Sequence, residues 1–514
     1  MNGAERLVSI AAEGGVEICF ANPGTTEIPL VSALDRVGGV RGVLCLHENV
    51  CTGAADGYAR LARRPAMTLL HLGPGLANGL ANLHNARRAR SPIVNIVGDH
   101  ASWHLSADPP LAMDIASAAR PVSDWYRHNG SPAAIAADMQ AALAAAKSRR
   151  GRIATLVVPH DHQQAAPVAG AEPAAPEPFP PPDPDAVARA AERLRAGGAA
   201  CLFLGGSALW GEGLRAAGRI AEKTGAELLG EVGFARLETG RGLPPVARLP
   251  YFPEQAQEVL DRFELIVLCG AKSPVSFFGY DHLPSRYLSG HPGVVTLAGP
   301  DEDAVAALSA LADTLDAAGT WGGACPAGPE APRGALDPDR LAAALVRHIP
   351  EDAVVVLTAV SSAAPFSRLA AAARPHSQIA LTGGAIGEGT ALATGAALAR
   401  PGTRILHLEA DGSAAYLPQA LWTQAREDLP VTTVVCANRA YRILRIELAR
   451  AGIVEPGEQT ARLTDLRAPA IDWVAVARGF GVPGTVVDTA EDLVAALERA
   501  AASTGPFLIE ARLP

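Results

Sequence analysis

Two stretches pair an apolar run with a polar residue able to do chemistry at its end. Asp411 follows "TRILHLEA", and Asn438 directly follows "VTTVVCA". The pattern predicts a strand over 403–409, a helix over 414–427 and a second strand over 431–437, a βαβ unit with a right-handed crossover. Asp411 and Asn438 then stand just past the carboxyl ends of two parallel strands, where open α/β sheets bind ligands. On neighbouring strands, about 4.8 Å apart, a carboxylate and an amide oxygen converge on one hard cation. Such a cation, Mg²⁺ or Ca²⁺, completes its shell with phosphate oxygens and water. Gly412 and Ser413 would open the helix with backbone N–H groups and a hydroxyl aimed at an anion. The competing reading is an Asp-Gly turn in which Ser413 caps the helix, and local chemistry does not separate the two. Two further candidates follow apolar runs, Glu48 after "GVLCLH" and His71 after "AMTLL". They are a carboxyl group whose proton affinity apolar surroundings would raise, and an imidazole suited to proton transfer.

Elements must bring these residues together, and the chain is long enough for three domains. It has 514 residues, 49% of them hydrophobic and 19% charged. Two Pro-, Ala- and Gly-rich stretches, 163–186 and 316–339, cannot hold a helix or a central strand and are expected to be linkers. They leave an N-terminal domain over 1–162, a central domain over 187–315 and a C-terminal domain over 340–514. Each alternates short apolar runs ("GVEICFA", "AACLFLG", "DAVVVLT") with Ala-rich helical spacing such as "AAIAADMQAALAAAKS". The expected fold class is α/β, with a mainly parallel sheet flanked by helices in each domain. A formal charge of −9, without a long Lys or Arg run, excludes a nucleic-acid or anionic-membrane surface and favours a small-molecule partner. The seven cysteines form no C-x-x-C pair and mostly sit in apolar runs, as expected of reduced buried thiols. No basic-then-apolar leader opens the sequence and no window of about 18 apolar residues occurs, so the expected location is cytoplasmic.

"FANPGTTEIPL" (20–30), "HENVCTGAADGYAR" (47–60) and "LLHLGPGLANGLANLHNARRARSPIVNIVGD" (69–99) resemble thiamine-diphosphate-dependent enzymes. Benzoylformate decarboxylase matches best, and the acetolactate synthase large subunit somewhat less closely. "DGSAAYLPQALWTQA" is also similar to benzoylformate decarboxylase, and the Asp411 to Asn438 arrangement resembles the family's metal signature. The resemblance implies thiamine diphosphate as cofactor, with Mg²⁺ held by Asp411, Asn438 and the backbone oxygen of Ala440. It implies diphosphate contacts from Gly412 and Ser413, and cofactor contacts from Asn22, Pro23 and Gly24. Glu48 would hydrogen-bond the aminopyrimidine ring, Gly384 would offer it a backbone carbonyl, and Ile386 would bend the cofactor. His71 would transfer protons after CO₂ loss, and Thr25 would meet the substrate carboxylate. The implied reaction is non-oxidative cleavage of a 2-oxo acid, with acetolactate synthase-like carboligation or a non-catalytic paralogue as alternatives. A homodimer or homotetramer with active sites between subunits is implied as well.

Three positions depart from the resemblance, and others qualify it. Ala410 replaces a glycine, and Glu388 stands where relatives carry an apolar residue. Phe278 occupies the place of the second histidine of benzoylformate decarboxylase, with His282 four residues on. Arg442 and Arg445 could receive an acidic acceptor or be solvated helix arginines. "FLGGSALWGEG" (203–213) lacks a complete dinucleotide fingerprint, so FAD is not expected.

Overall fold

The structure is a computed structural model and describes residues 1–165 and 169–514. Three sheets organise it, as the alternating pattern requires. The first runs, in spatial order, Arg41–Leu44, Ile18–Asn22, Ala66–Leu70, Ile93–Asp99, Ile153–Pro159 and Trp125–His128, with every pair parallel. Its central strands are buried along their whole length, because helices cover both faces and a continuous apolar run satisfies both. The second, also parallel, runs Ala247–Arg248, Glu227–Gly230, Ala200–Leu204, Leu265–Cys269 and Val294–Ala298.

The third sheet runs Gly484–Val487, Phe507–Arg512, Val431–Ala437, Ile405–Ala410, Val354–Leu357, His376–Ala380 and Leu237–Thr239. Its last strand is antiparallel and comes from the middle of the chain, pairing Leu237 with Gln378 and Thr239 with His376. The class is α/β as expected, with one mixed sheet. The first linker stretch is narrower than expected at both ends, since the helices His160–Gln164 and Pro184–Arg195 run into it. Asp183 caps the second of these and Pro184 opens it, so a Pro-rich stretch there starts a helix. Residues 166–168 of that stretch lie outside the described residues.

One crossing sets the position of the site. The helix Glu48–Ala62 lies against Gly389–Ala399, backbone on backbone. A Cβ on Gly395 would lie 1.8 Å from the Ala54 carbonyl oxygen, and one on Gly57 would lie 2.1 Å from that of Leu392. Glycine is therefore required at both. The two helices start at Glu48 and directly after the loop 383–388, so the contact fixes both starting points relative to one another.

The expected helix over 414–427 is instead two short pieces, Asp411–Ala414 and Ala420–Arg426. Pro418 stands between them, has no N–H to give a continuing helix, and disfavours the helical region at Leu417. Six cysteines are buried and Cys325 is exposed, all with free thiols. Among the described residues no helix is long and apolar enough to cross a membrane.

Candidate active site

The strands Ile405–Ala410 and Val431–Ala437 are direct parallel neighbours with Ala410 opposite Cys436, so Asp411 and Asn438 emerge side by side. Asp411 is buried. Its Oδ1 accepts from the Gly412 N–H (2.8 Å) and its Oδ2 from the Arg439 N–H (2.6 Å). Burial pushes its carboxyl group up, and those N–H donors pull it back. Asn438 Oδ1 accepts from the Ala440 N–H at 3.0 Å, which fixes the orientation of the amide. Ala440 is pinned by a bridge to Asp465. Ala410 has φ −84° and ψ 144°, so alanine replaces glycine there without strain. Gly412 cannot be replaced as easily, since a Cβ would lie 2.6 Å from the Tyr441 ring. Carboxylate, amide and carbonyl oxygens at one sheet edge are the donor chemistry that fits Mg²⁺. Among the described residues no group of three or more His, Cys, Asp and Glu side chains is placed to hold a metal.

The second half of the candidate site lies at the carboxyl edge of the first sheet. Asn22 ends a strand, Pro23 and Gly24 turn the chain, and Thr25 opens a short 3-10 turn to Glu27. Glu27, which the sequence did not single out, is fully buried. Its Oε2 accepts from the Gly24 N–H (2.9 Å) and lies 2.7 Å from His71 Nδ1, while its Oε1 accepts from the Thr26 hydroxyl (2.6 Å). Room for the pair comes from two glycines. A Cβ on Gly24 would lie 2.2 Å from His71 Nδ1, and one on Gly98 would lie 1.7 Å from Glu27 Oε1. A carboxylate at that distance favours the tautomer with the proton on Nδ1, which leaves Nε2 as the acceptor nitrogen. Leu72, next in the chain, has φ +53°, a strained conformation for a bulky residue at the strand-to-helix corner that aims His71.

Glu48 opens its helix behind the cap His47, is buried, and accepts from Asn78 Nδ2 at 3.0 Å. The loop carrying Gly384 and Ile386 packs against the helix Leu72–Ala89. Gly384 and Gly387 have φ of +81° and +94°, and Ile386 is half-buried. Asn85 stitches this loop to the helix Leu72–Ala89, donating to the Ala385 oxygen (2.8 Å) and accepting from its nitrogen (3.2 Å). His84 Nε2 adds a contact to the Gly383 oxygen at 3.0 Å. From the middle of the chain it is Phe277, rather than Phe278, that reaches Gly384, where an added Cβ would lie 2.7 Å from its ring. Phe278, His282 and Arg442 are exposed, and Arg445 is exposed too, donating to the Thr464 carbonyl at 3.3 Å.

The chain is similar to known proteins along its whole length. Residues 1–118 match the family described as thiamine pyrophosphate enzyme, N-terminal TPP binding domain, and residues 361–511 match its C-terminal TPP binding domain. A Mycobacterium tuberculosis protein named "Putative acetolactate synthase large subunit IlvX" is 47% identical over 523 residues, covering 100% of this chain and 99% of that protein. The chain belongs to the thiamine pyrophosphate enzymes. Benzoylformate decarboxylase of Pseudomonas aeruginosa is 29% identical over 96% of both chains. The fold is shared with the thiamine diphosphate-dependent 4-hydroxybenzoylformate decarboxylase of Rhodococcus jostii RHA1. That structure has a TM-score of 0.84 at 24% identity and covers 100% of this chain and 99% of its own. This thiamine pyrophosphate enzyme is therefore of the decarboxylase and acetolactate synthase type.

Proposed function

We propose that the chain cleaves a 2-oxo acid non-oxidatively with thiamine diphosphate and Mg²⁺, releasing CO₂ as benzoylformate decarboxylase does. The Glu27–His71 pair, a buried carboxylate holding a part-exposed ring, carries this reading, because a fixed imidazole with one nitrogen committed and the other available is suited to moving a proton at a reacting carbon. Asp411, Asn438 and the Ala440 oxygen would hold the metal, and Gly412 and Ser413 the diphosphate. Asn22, Pro23 and Gly24 would line the cofactor, the Gly384 carbonyl would meet its amine, and Ile386 would support its bend. Thiamine diphosphate, when bound, supplies a carbon nucleophile at its thiazolium ring. Glu48, buried and held by Asn78, would share a proton with the aminopyrimidine. Thr25 would receive the substrate carboxylate, and His71 would return a proton to the product carbon. The assembly we infer is a homodimer or homotetramer with sites between subunits, and the reduced, buried thiols favour a cytoplasmic location.

Carboligation to a second carbonyl is the other reading. It is favoured by Phe278, half-exposed and by the resemblance in the place of the second histidine of benzoylformate decarboxylase, and by the exposure of His282. Calorimetric titration with thiamine diphosphate, in Mg²⁺ and in EDTA, tests the site. Saturable, metal-dependent binding is expected. A 2-oxo acid screen for CO₂ release then separates the reactions by product, an aldehyde for decarboxylation and a 2-hydroxy ketone or acid for carboligation. Absence of binding would leave the non-catalytic reading in place of both.

A further inference from the structure

Glu388 is an anomaly, an acidic residue completely buried beside a cation that is already committed to another carboxylate. It ends the loop 383–388, is completely buried, and its Oε2 accepts from Asn85 Nδ2 at 2.9 Å. Its Oε1 has no hydrogen-bond donor. The neighbouring acid is Asp56, also completely buried, and the cation of this pocket is already committed to it. Arg60 Nε donates to Asp56 Oδ1 at 2.8 Å and Nη2 to Oδ2, and the Ser91 hydroxyl donates to Oδ1 as well. The remaining guanidinium donors of Arg60 reach the Ala380 oxygen (2.7 Å) and the Thr382 hydroxyl (3.2 Å).

Two ionised carboxylates against one guanidinium would leave an uncompensated buried charge, which proteins avoid by neutralising the group. One proton on Glu388 removes that charge and converts the orphaned Oε1 into a donor toward Asp56. We propose that Glu388 is a positioning residue. As a neutral carboxylic acid it fastens the loop Thr382–Glu388 to the helix Glu48–Ala62 through Asp56, and so sets the loop's height beneath the cofactor. The part concerning the cofactor rests on the function proposed above. Burial and the adjoining Asp56 charge both drive the Glu388 carboxyl well up, against weaker opposition from Arg60 and Asn85. The groups facing it are Asp56 and Arg60 from one helix and Asn85 from the other. His84 lies on the same helix as Asn85 and contacts only the Gly383 end of the loop.

A raised folded-state affinity for a proton gives stability that is full below the unfolded carboxyl pKa, near 4.3. That stability is lost as pH rises through the folded value. Denaturant unfolding of the full chain across pH should therefore show a decline for wild type that Glu388→Gln removes. Infrared difference spectra, wild type minus Glu388→Gln at neutral pH, should contain a protonated-carboxyl C=O stretch. An ionised-carboxylate difference alone, with an unchanged unfolding slope, overturns the proposal. Neither readout needs cofactor, so both stand if the proposed function fails. In calorimetry with thiamine diphosphate and Mg²⁺, Glu388→Ala should bind about tenfold more weakly, the cost of one buried hydrogen bond. Glu388→Gln should stay near wild type, and equal binding by Glu388→Ala would refute the positioning role. If the alanine variant does not fold, the glutamine variant's slope and spectrum decide.

Discussion

The Glu27–His71 pair shows what can be tested one side chain at a time. Glu27 ties together the Gly24 N–H, the Thr26 hydroxyl and His71 Nδ1, so truncation frees the ring and orphans two donors. Glu27→Ala should lower kcat for CO₂ release by about 100-fold while leaving thiamine diphosphate affinity nearly unchanged. Glu27→Gln keeps the hydrogen bonds without the charge, and its loss should be smaller. Steady-state kinetics beside calorimetry separates the two effects. Ala410 gives a second test. Its negative φ gains nothing from glycine, so Ala410→Gly should leave binding intact and lower stability by about 0.5–1 kcal/mol in denaturant unfolding. At this scale Asp411 and Asn438 were legible because each ends an apolar run, and the strand register follows from those runs. Glu27 was not. In "TTEIPL" it looks like part of a helix entry, and its partner arrives from a strand more than forty residues away in sequence.

Elements position these side chains, and the closest contact between them is the crossing of Glu48–Ala62 with Gly389–Ala399. The structure leaves no volume at Gly395, because the nearest atoms belong to the Ala54 backbone and cannot rotate away. Gly395→Ala should therefore destabilise by about 1–3 kcal/mol or more. The helices must separate to admit the methyl group, which displaces the starts of both helices, Glu48 on one and the loop 383–388 before the other, from the places their sites require, so cofactor affinity should fall as well. Thermal unfolding with and without thiamine diphosphate and Mg²⁺ measures both. A stability loss with unaltered affinity would show that the crossing holds the fold but not the site. Sequence pattern did not show this contact, since small residues are compatible with any close approach. It also missed the break at Pro418 and the strand Leu237–Thr239. That strand is three residues long and too short to show a period, and its sheet partner is distant in sequence.

At the scale of the whole molecule, apolar side chains remain in water around both halves of the candidate site. Ile28 and Leu46 flank Glu27 and Glu48 in sequence, Met113 lies over Gly73 beside His71, and Trp103 is 75% exposed on the loop beyond Asp99. Beyond Asp411 and Asn438, Tyr416, Leu444, Val454 and Leu463 are exposed too, the last two at 81% and 77%. Large exposed apolar surface concentrated near polar functional groups marks an interaction site. Copies of this chain covering one another would remove it from water at both places. Sedimentation velocity should then show a dimer or tetramer at micromolar concentration, with a smaller species appearing on dilution. Trp103→Glu places a charge in that surface and should raise the dissociation constant by about tenfold or more, the 1.4 kcal/mol or greater cost of burying it unpaired. If the sites lie between subunits, thiamine diphosphate affinity must fall over the same dilution range, because each separated subunit would keep only one half of the groups. A stable monomer that binds the cofactor at full strength would require Glu48 and Asp411 to serve the same cofactor within one chain, and would remove the intersubunit site from the proposed function.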